Sequence, residues 1–471
     1  MATVMNAPRY YYYHHYHHHY HHRLTVIVAT LLLHCYQLHP SWSFSAARTK
    51  KQARQFQYHH QDQSFSRQTM STASTSHVDT SSSWSVAAPA RSAGLFRATP
   101  LIRSAPLSAL LTKSLAAAAS SSNKPMQVYL KLDCLQDSGS FKDRGMAHLC
   151  WTLQQQIQEE KSSSSPGNDV TDTSINKKKK KKMVLISSSG GNAGLAVATV
   201  GAKLGLPTQV VVPQTTKPVV IGTLQSLGAT VTVHGEHWNA ADALARQRVQ
   251  DLAENAANDT VAAYISPYDH PLLWTGHSTL VDEIVHDVPS FLSEGGTLIV
   301  SVGGGGLLCG ALEGLARYQA AAAASSSSSS RTTTVVAAET QGASSFGQAW
   351  QAGRVVRLPS IDSVATSLGA LEVTPVSLER AQQHVRAGGH VHSAQCTDAE
   401  AVEACLRFAK DHRILVEPAC GAALAVVYSE RLRQQILLEP DHVQGPIVIE
   451  VCGGSGVTIE LLTKWKEDFG L

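Results

Sequence analysis

The chain has 471 residues, 43% of them hydrophobic, and 39 basic side chains against 36 acidic ones leave a formal charge of +3. That length supports two or three domains with substantial cores, and the near balance of charge excludes a general nucleic-acid binder. Eight cysteines form no C-x-x-C pair, so no zinc site is expected and the pattern reads as that of a reduced compartment.

Residues 1–94 read as a disordered leader or targeting region. Tyr10 to His22 is almost wholly Tyr and His, and the apolar run Leu24 to Leu33 is shorter than the roughly 20 residues a membrane span needs. The Ser, Thr, Gln and Arg that follow, with few acids, suit a signal or organelle leader. Ordered sequence is expected from about Leu95. Val128 to Leu132 alternates apolar and polar residues and predicts a strand; a helix is predicted from Met146 to about Glu160. Lys161 to Lys182 is rich in Ser and Lys and reads as an inserted surface loop.

Strands and helices then alternate. Strands are predicted at Met183 to Ile186, Thr208 to Val212 and Thr230 to His234, with helices at Ala193 to Leu204, Lys217 to Leu227 and Ala240 to Ala256. The pattern resumes with a strand at Thr297 to Val302, an insert over Ala320 to Thr334, a strand at Val335 to Ala338 and a last strand at Pro446 to Val451. Short β-branched runs alternating with helices indicate parallel sheets covered on both faces. The expected fold is therefore α/β, with two open twisted parallel-sheet domains: a large one of residues 95–132 and 257–471, and a small one of residues 133–256.

Four segments carry chemistry. Lys142, in Ser138-Gly139-Ser140-Phe141-Lys142-Asp143-Arg144-Gly145, stands between turn-forming residues and a helix, where an amine can be desolvated and become a base or nucleophile. Ser187 to Gly194 (S-S-S-G-G-N-A-G) joins a strand to a helix and suits a carboxylate or phosphate at the helix N-terminus. Gly303 to Gly306, leading into Leu307, suits a phosphate cradle but lacks both the nucleotide-loop and the dinucleotide-loop spacings. Cys452-Gly453-Gly454-Ser455 places a thiol at a strand end. A cofactor bearing an aldehyde, a phosphate, a ring hydroxyl and a ring nitrogen would use them all, and pyridoxal phosphate is such a cofactor.

These motifs, with Tyr264 to Trp274 (Y-I-S-P-Y-D-H-P-L-L-W) and Val416 to Leu424 (V-E-P-A-C-G-A-A-L), resemble the tryptophan-synthase-β-like (fold type II) pyridoxal-phosphate enzymes, and within them the L-serine/L-threonine dehydratases. The resemblance covers roughly Thr99 to Leu471 and implies the cofactor site lies in the cleft between the domains. It implies that Lys142 links to the cofactor aldehyde and serves as the base for the substrate Cα proton. Phe141 would pack on the ring, Asn192 would bond the ring hydroxyl, and Cys452 would face the ring nitrogen. Ser189, Gly191, Asn192 and Ala193 would hold the substrate carboxylate, and Gly303, Gly304, Gly305, Gly306 and Leu307 the phosphate. A potassium-type site would use Gly303, Glu339, Ala343, Ser345, Leu368 and Ala370, although Gln341 and Ser344 depart from the usual pattern. Asp137 likewise replaces a proline common among relatives.

The implied reaction is loss of water and ammonia from an amino-acid substrate: L-serine to pyruvate and L-threonine to 2-oxobutyrate. The implied assembly is a homodimer, with no nucleic-acid partner and no membrane association of the mature domain. The close family is mostly cytosolic, whereas the leader points to an organelle. Two alternatives share the scaffold. Gly190 stands where racemases of the family place a serine hydroxyl, which argues against a serine racemase. Only Gly456 to Leu471 follow the last motif, which argues against a regulated threonine deaminase. A non-catalytic homologue is the third alternative.

Overall fold

The computed structural model describes residues 87–117, 126–162, 182–255, 260–324, 331–438 and 445–471. The Tyr/His tract, the apolar run, Cys35 and the middles of both inserts lie outside the described residues.

The described chain starts earlier than expected. Helix α1 (Ala88–Ser92) turns Ala87 and Ala90 fully into a core shared with Leu95 and Phe96, so the boundary at residue 95 is corrected to at most 87. Strand β1 (Leu101–Arg103), helix α2 (Ala105–Ala117) and strand β2 (Val128–Lys131) follow. Helix α3 (Lys142–Ser162) starts at the lysine itself and overruns the expected start of the first insert. Then come β3 (Lys182–Ser187), α4 (Asn192–Leu204), β4 (Thr208–Val212), α5 (Pro218–Ser226), β5 (Thr230–Val233), α6 (Trp238–Glu254) and β6 (Thr260–Tyr264).

The second series is α7 (Pro271–Asp287), β7 (Thr297–Ser301), α8 (Gly306–Ala324), β8 (Thr334–Thr340), α9 (Ser345–Ala352), α10 (Pro375–Arg386), β9 (His390–Cys396), α11 (Asp398–His412), α12 (Pro418–Tyr428), β10 (Ile447–Glu450) and α13 (Ile459–Asp468). Because α8 reaches Ala324, the first residues of the expected second insert are helical.

The strands form two sheets. The larger has the order β1-β2-β10-β7-β8-β9 and the smaller β5-β4-β3-β6. Among the described strands only the β1–β2 pair is antiparallel; every other pair is parallel. Every residue of β7, β8 and β10 is buried, as strands covered on both faces require. β6 pairs with β3, so the domain boundary expected after residue 256 falls one strand too early.

Local signals explain some helix ends. Gly205 closes α4 in the left-handed region at φ 63°. Thr397 and Glu400 form a reciprocal capping box at the start of α11. Met146, Leu149, Met183, Leu185, Val197, Leu273 and Trp274 pack into one cluster. It joins α3 and α7 to the small sheet and so fixes the two sheets about the cleft.

Candidate active site

The site is built where the carboxyl ends of strands from both sheets meet, the usual ligand position in open α/β sheets. From the large sheet come the loops after β7 and β10; from the small sheet come those after β3 and β6. The loop after β10 is stapled to the segment that carries Lys142. Phe141 N–H donates to the Cys452 carbonyl at 3.3 Å and Gly454 N–H to the Gly139 carbonyl at 2.9 Å, and Ser140 bridges Gly453. Gly454 needs its glycine: at φ 111° any Cβ would lie 2.0 Å from the Glu417 carboxyl carbon.

Lys142 is partly buried, and its Nζ donates to the Pro267 carbonyl at 3.0 Å. Burial lowers its amine to about 8, with Cys452 and Glu417 pulling in the opposite direction. Among the described residues it makes no ion pair, and as pH rises through about 8 a growing share of the amine is free to act as base or nucleophile. The Phe141 ring lies 4.9 Å from this amine. The Phe141 and His277 rings meet in a T-shaped contact with centroids 5.0 Å apart, and burial keeps His277 neutral by lowering it well below its usual range.

The glycine loop enters α8, whose first turn has no acidic residue and whose first N–H groups have no intrahelical partner. A Cβ on Gly304 would meet the Tyr268 ring at 2.4 Å, and one on Gly306 the Tyr268 carbonyl at 2.7 Å. Gly305 sits at φ 89°. Bare backbone is therefore required, and it lines an anion-binding turn.

The second loop opens α4. Gly191 precedes the helix in extended conformation, with Asn192 and Ala193 as its first residues. The Gly191 N–H is already held by the Ser189 hydroxyl at 3.2 Å, so of the four expected carboxylate-binding residues this pair is engaged internally. Ser188 anchors the loop to Asp242 at 2.7 Å. A Cβ at Gly190 would lie 2.7 Å from the Thr216 hydroxyl.

Cys452 is 6% exposed. A hydrogen bond with Cys420 and burial push its thiol well above the usual range, so it is neutral. Seven cysteines are free among the described residues, and no group of His, Cys, Asp or Glu among them has metal-binding geometry.

At the expected potassium site, the Ser345 hydroxyl donates to the Gly303 carbonyl at 3.4 Å, and a Cβ on Gly303 would meet Leu368 Cα at 3.1 Å. The Leu368 carbonyl accepts from Ala370 N–H at 2.7 Å, and Ala343 is buried nearby in sequence at the end of a short 3₁₀ turn. Both Glu339 oxygens accept backbone N–H bonds of 2.7 Å, from Phe346 and Gly347. Burial still raises this carboxyl to about 8, the behaviour of a carboxylate that lacks a counter-charge.

Sequence reading missed several residues of the site: Tyr268, His277, Thr216, Ser367 and above all Glu417. Glu417 is 4% exposed, precedes Pro418 at the start of α12, and accepts from Asn192 Nδ2 at 2.9 Å. An acid placed directly before Pro and an apolar helix was the available signal.

The donor set suits pyridoxal phosphate: a near-neutral amine for the aldehyde, a glycine turn at a helix N-terminus for the phosphate, an amide for the ring hydroxyl and a neutral thiol for the ring nitrogen. Comparison with known proteins agrees. Residues 94–453 match the family model for pyridoxal-phosphate dependent enzymes. The L-serine dehydratase/L-threonine deaminase of Homo sapiens is 38% identical over 347 residues, 73% of this chain and 90% of that protein. The L-serine dehydratase of Saccharomyces cerevisiae is 35% identical, covering 71% and 90%. Among solved structures, a fungal L-serine ammonia-lyase from Rhizomucor miehei superposes with TM-score 0.62 at 27% identity, covering 80% of this chain and 99% of that one. Maize serine racemase, at 20% identity and TM-score 0.59 over 82% of this chain and 97% of its own, shares the fold.

Proposed function

The chain belongs to the pyridoxal-phosphate dependent enzyme family, and we propose that it is an ammonia-lyase that converts L-serine to pyruvate and ammonia, and L-threonine to 2-oxobutyrate and ammonia. The observation that carries this reading is Lys142: an amine with no ion-pair partner among the described residues, brought to about 8 by burial, among a glycine turn, an amide and a neutral thiol. The curated relatives with most of their length matched are serine and threonine dehydratases by name.

When bound, pyridoxal phosphate supplies an electron-withdrawing ring that acidifies the substrate Cα–H. The protein does the rest. The N-terminus of α4, with Ser189, Gly191, Asn192 and Ala193, orients the substrate carboxylate. Lys142 Nζ takes the Cα proton, and the Phe141 ring limits water on that side. The β-hydroxyl leaves from the neighbouring carbon as water, balanced by the proton taken from Cα, and the enamine so formed takes up water to give the 2-oxo acid and ammonia. Cys452 offers the ring nitrogen a neutral partner, which favours prompt elimination over a long-lived carbanion.

Racemisation needs a second proton carrier on the opposite face. Gly190 has none, and Thr216 fills the space in which a serine side chain would start. The buried Glu339 carboxyl, raised by burial and without a counter-charge among the described residues, supports a monovalent cation at Gly303, Glu339, Ala343, Ser345, Leu368 and Ala370. A homodimer is the assembly the resemblance favours, to be decided by sedimentation. Among the described residues no helix is long and apolar enough to cross a membrane.

The test is ammonia and 2-oxo acid release from L-serine and L-threonine, with pyridoxal phosphate added, followed by borohydride reduction and peptide mapping. Cofactor mass on Lys142 with product from at least one substrate is expected. Cofactor on Lys142 without product from either would remove the lyase assignment, and D-serine accumulating from L-serine would move it to racemisation.

A further inference from the structure

Asn192 lies at the entrance of α4, on the small-sheet side of the cleft, yet all of its tight hydrogen bonds are to the large-sheet side. Its Oδ1 accepts from both the N–H and the hydroxyl of Ser455, at 2.9 and 3.0 Å. Its Nδ2 donates to Glu417 Oε1 at 2.9 Å and stands 3.4 Å from the Ser367 hydroxyl. Glu417 Oε2 in turn accepts from Gly456 N–H at 3.0 Å. Gly454 lies so close to the Glu417 carboxyl that no side chain fits between them.

An asparagine amide is nearly symmetric in shape, so its orientation depends on its partners. Here the partners are unambiguous. A backbone N–H can only donate, so Oδ1 must face Ser455. With Oδ1 so placed, Nδ2 faces Glu417 Oε1, which accepts from it at 2.9 Å although burial raises this carboxyl. Turning the amide over would set oxygen against oxygen and two donors against an N–H₂ group. With that orientation held, one Nδ2 hydrogen is committed to Glu417. The other has only the long approach to Ser367 and is available within the cleft.

We propose that Glu417 and Ser455 form a two-sided clamp that fixes the Asn192 amide with an N–H, not the carbonyl, toward the ring hydroxyl of the cofactor, making Glu417 a positioning residue that also ties the small-sheet loop to the large sheet. This rests on the reading that the cleft holds pyridoxal phosphate on Lys142. The consequence is electronic. An N–H aimed at the ring oxygen stabilises its ionised form; an amide free to turn does not. Glu417 acts on the ring hydroxyl through Asn192, separately from its charge effect on the Lys142 amine, and Ser455 acts on the same amide from its other end.

The test uses apoprotein reconstituted with pyridoxal phosphate, read by cofactor affinity and by the position and pH dependence of the visible absorption band. Glu417→Ala is expected to weaken cofactor binding about tenfold, the scale of one hydrogen bond to a charged group. It should also move the band toward shorter wavelength, as protonation of the ring hydroxyl does, and kcat should fall more than KM rises. Glu417→Gln should act in the same direction, because its amide must present a donor either to Asn192 or to Gly456. Ser455→Ala should give a smaller effect, since its backbone N–H remains. On an Asn192→Ala background, Glu417→Ala should add nothing further to the band shift. An unchanged band and affinity in folded Glu417→Gln and Ser455→Ala, or effects of Glu417→Ala and Asn192→Ala that simply multiply, would overturn the clamp. Failure of the wild-type protein to carry cofactor mass on Lys142 after borohydride would instead sink the parent reading, and the clamp with it.

Discussion

Two lysines on either side of the same turn have opposite fates. Lys131, at the end of β2, is completely buried but paired: its Nζ lies 2.5 Å from Glu283 Oε2 and 2.6 Å from the Thr99 carbonyl. Arg144, also fully buried, bonds Asp133 twice at 2.7 Å and Glu283 at 2.7 and 2.8 Å. Thr99 and Thr279 complete the cluster at 3.1 and 3.0 Å. Two cations thus face two carboxylates, and the nearby buried carboxyl of Glu450 is pushed well above its usual range by burial and Asp133, so it stays neutral. Lys142, in contrast, has a carbonyl and no paired carboxylate for its amine among the described residues. Burial lowers both amines. Where carboxylates complete the set, the result is a brace; where they are withheld, it is a reagent.

The sharpest way to break this contrast is to make the same change on each side. Lys142→Met should abolish cofactor attachment and lower elimination by at least about 10³-fold, within the range for loss of a positioned base. Its apoprotein should melt at or above the wild-type temperature at pH 7, because an uncompensated amine has been removed. Arg144→Met, two positions along α3, should do the reverse. It strands Asp133 without its guanidinium and leaves Glu283 with Lys131 alone, at a cost of about 3–5 kcal/mol. Soluble yield and thermal midpoint decide. An Arg144→Met protein as stable as the wild type would show that the cluster is no brace.

The brace was invisible in the sequence for a physical reason. Lys131, Asp133, Arg144 and Glu283 lie on four different elements, and nothing local marks a charge as buried. Asn192 could be read as a ligand from its loop, but its partner Glu417 comes from the start of α12, 225 residues further along the chain. Strands such as β4 and β7 were legible because parallel strands buried on both faces are continuous apolar runs. β9 was passed over because His390, His392 and Gln395 interrupt it, although its alternation has the period of a strand. The early start at α1 was hidden by a poor apolar signal: Ala87 and Ala90 are small enough to be buried without looking hydrophobic in a window.

pH separates the two regions next. Lys142 is lowered in the folded protein, so its amine becomes free as pH rises through about 8. Cofactor loading of apoprotein should therefore accelerate by up to about tenfold per unit below pH 8 and level off above it. The penalty for burying the charged amine is present below that pH and relieved above it. Glu283 has the opposite sign. Although burial opposes it, Arg144 and Lys131 hold it down to about 2, so its contribution is present above the ordinary carboxyl range and lost as pH falls toward 2. Glu283→Gln should flatten the acid limb of stability. An acid limb that stayed equally steep would assign acid unfolding to other carboxylates.

The smallest effect is expected from a third set of charges, at the surface beside the Lys142 turn. Asp137 pairs with Arg97 and Lys203, but these side chains are 29%, 57% and 27% exposed. Water screens such pairs, and each is worth only about 0.2–1 kcal/mol. The partners are also held without it. Lys203 Nζ donates to the Gly94 and Leu95 carbonyls at 3.0 and 3.1 Å, and Arg97 exchanges backbone bonds with the Gln136 amide at 3.1 and 2.7 Å. Asp137→Ala should thus shift stability by no more than about 1 kcal/mol, with a difference that shrinks further in high salt. A loss comparable to that of Arg144→Met, persisting in salt, would mean that exposure is a poor guide to which charges near this turn are structural. The distinction between brace and reagent would then have to be drawn by geometry alone.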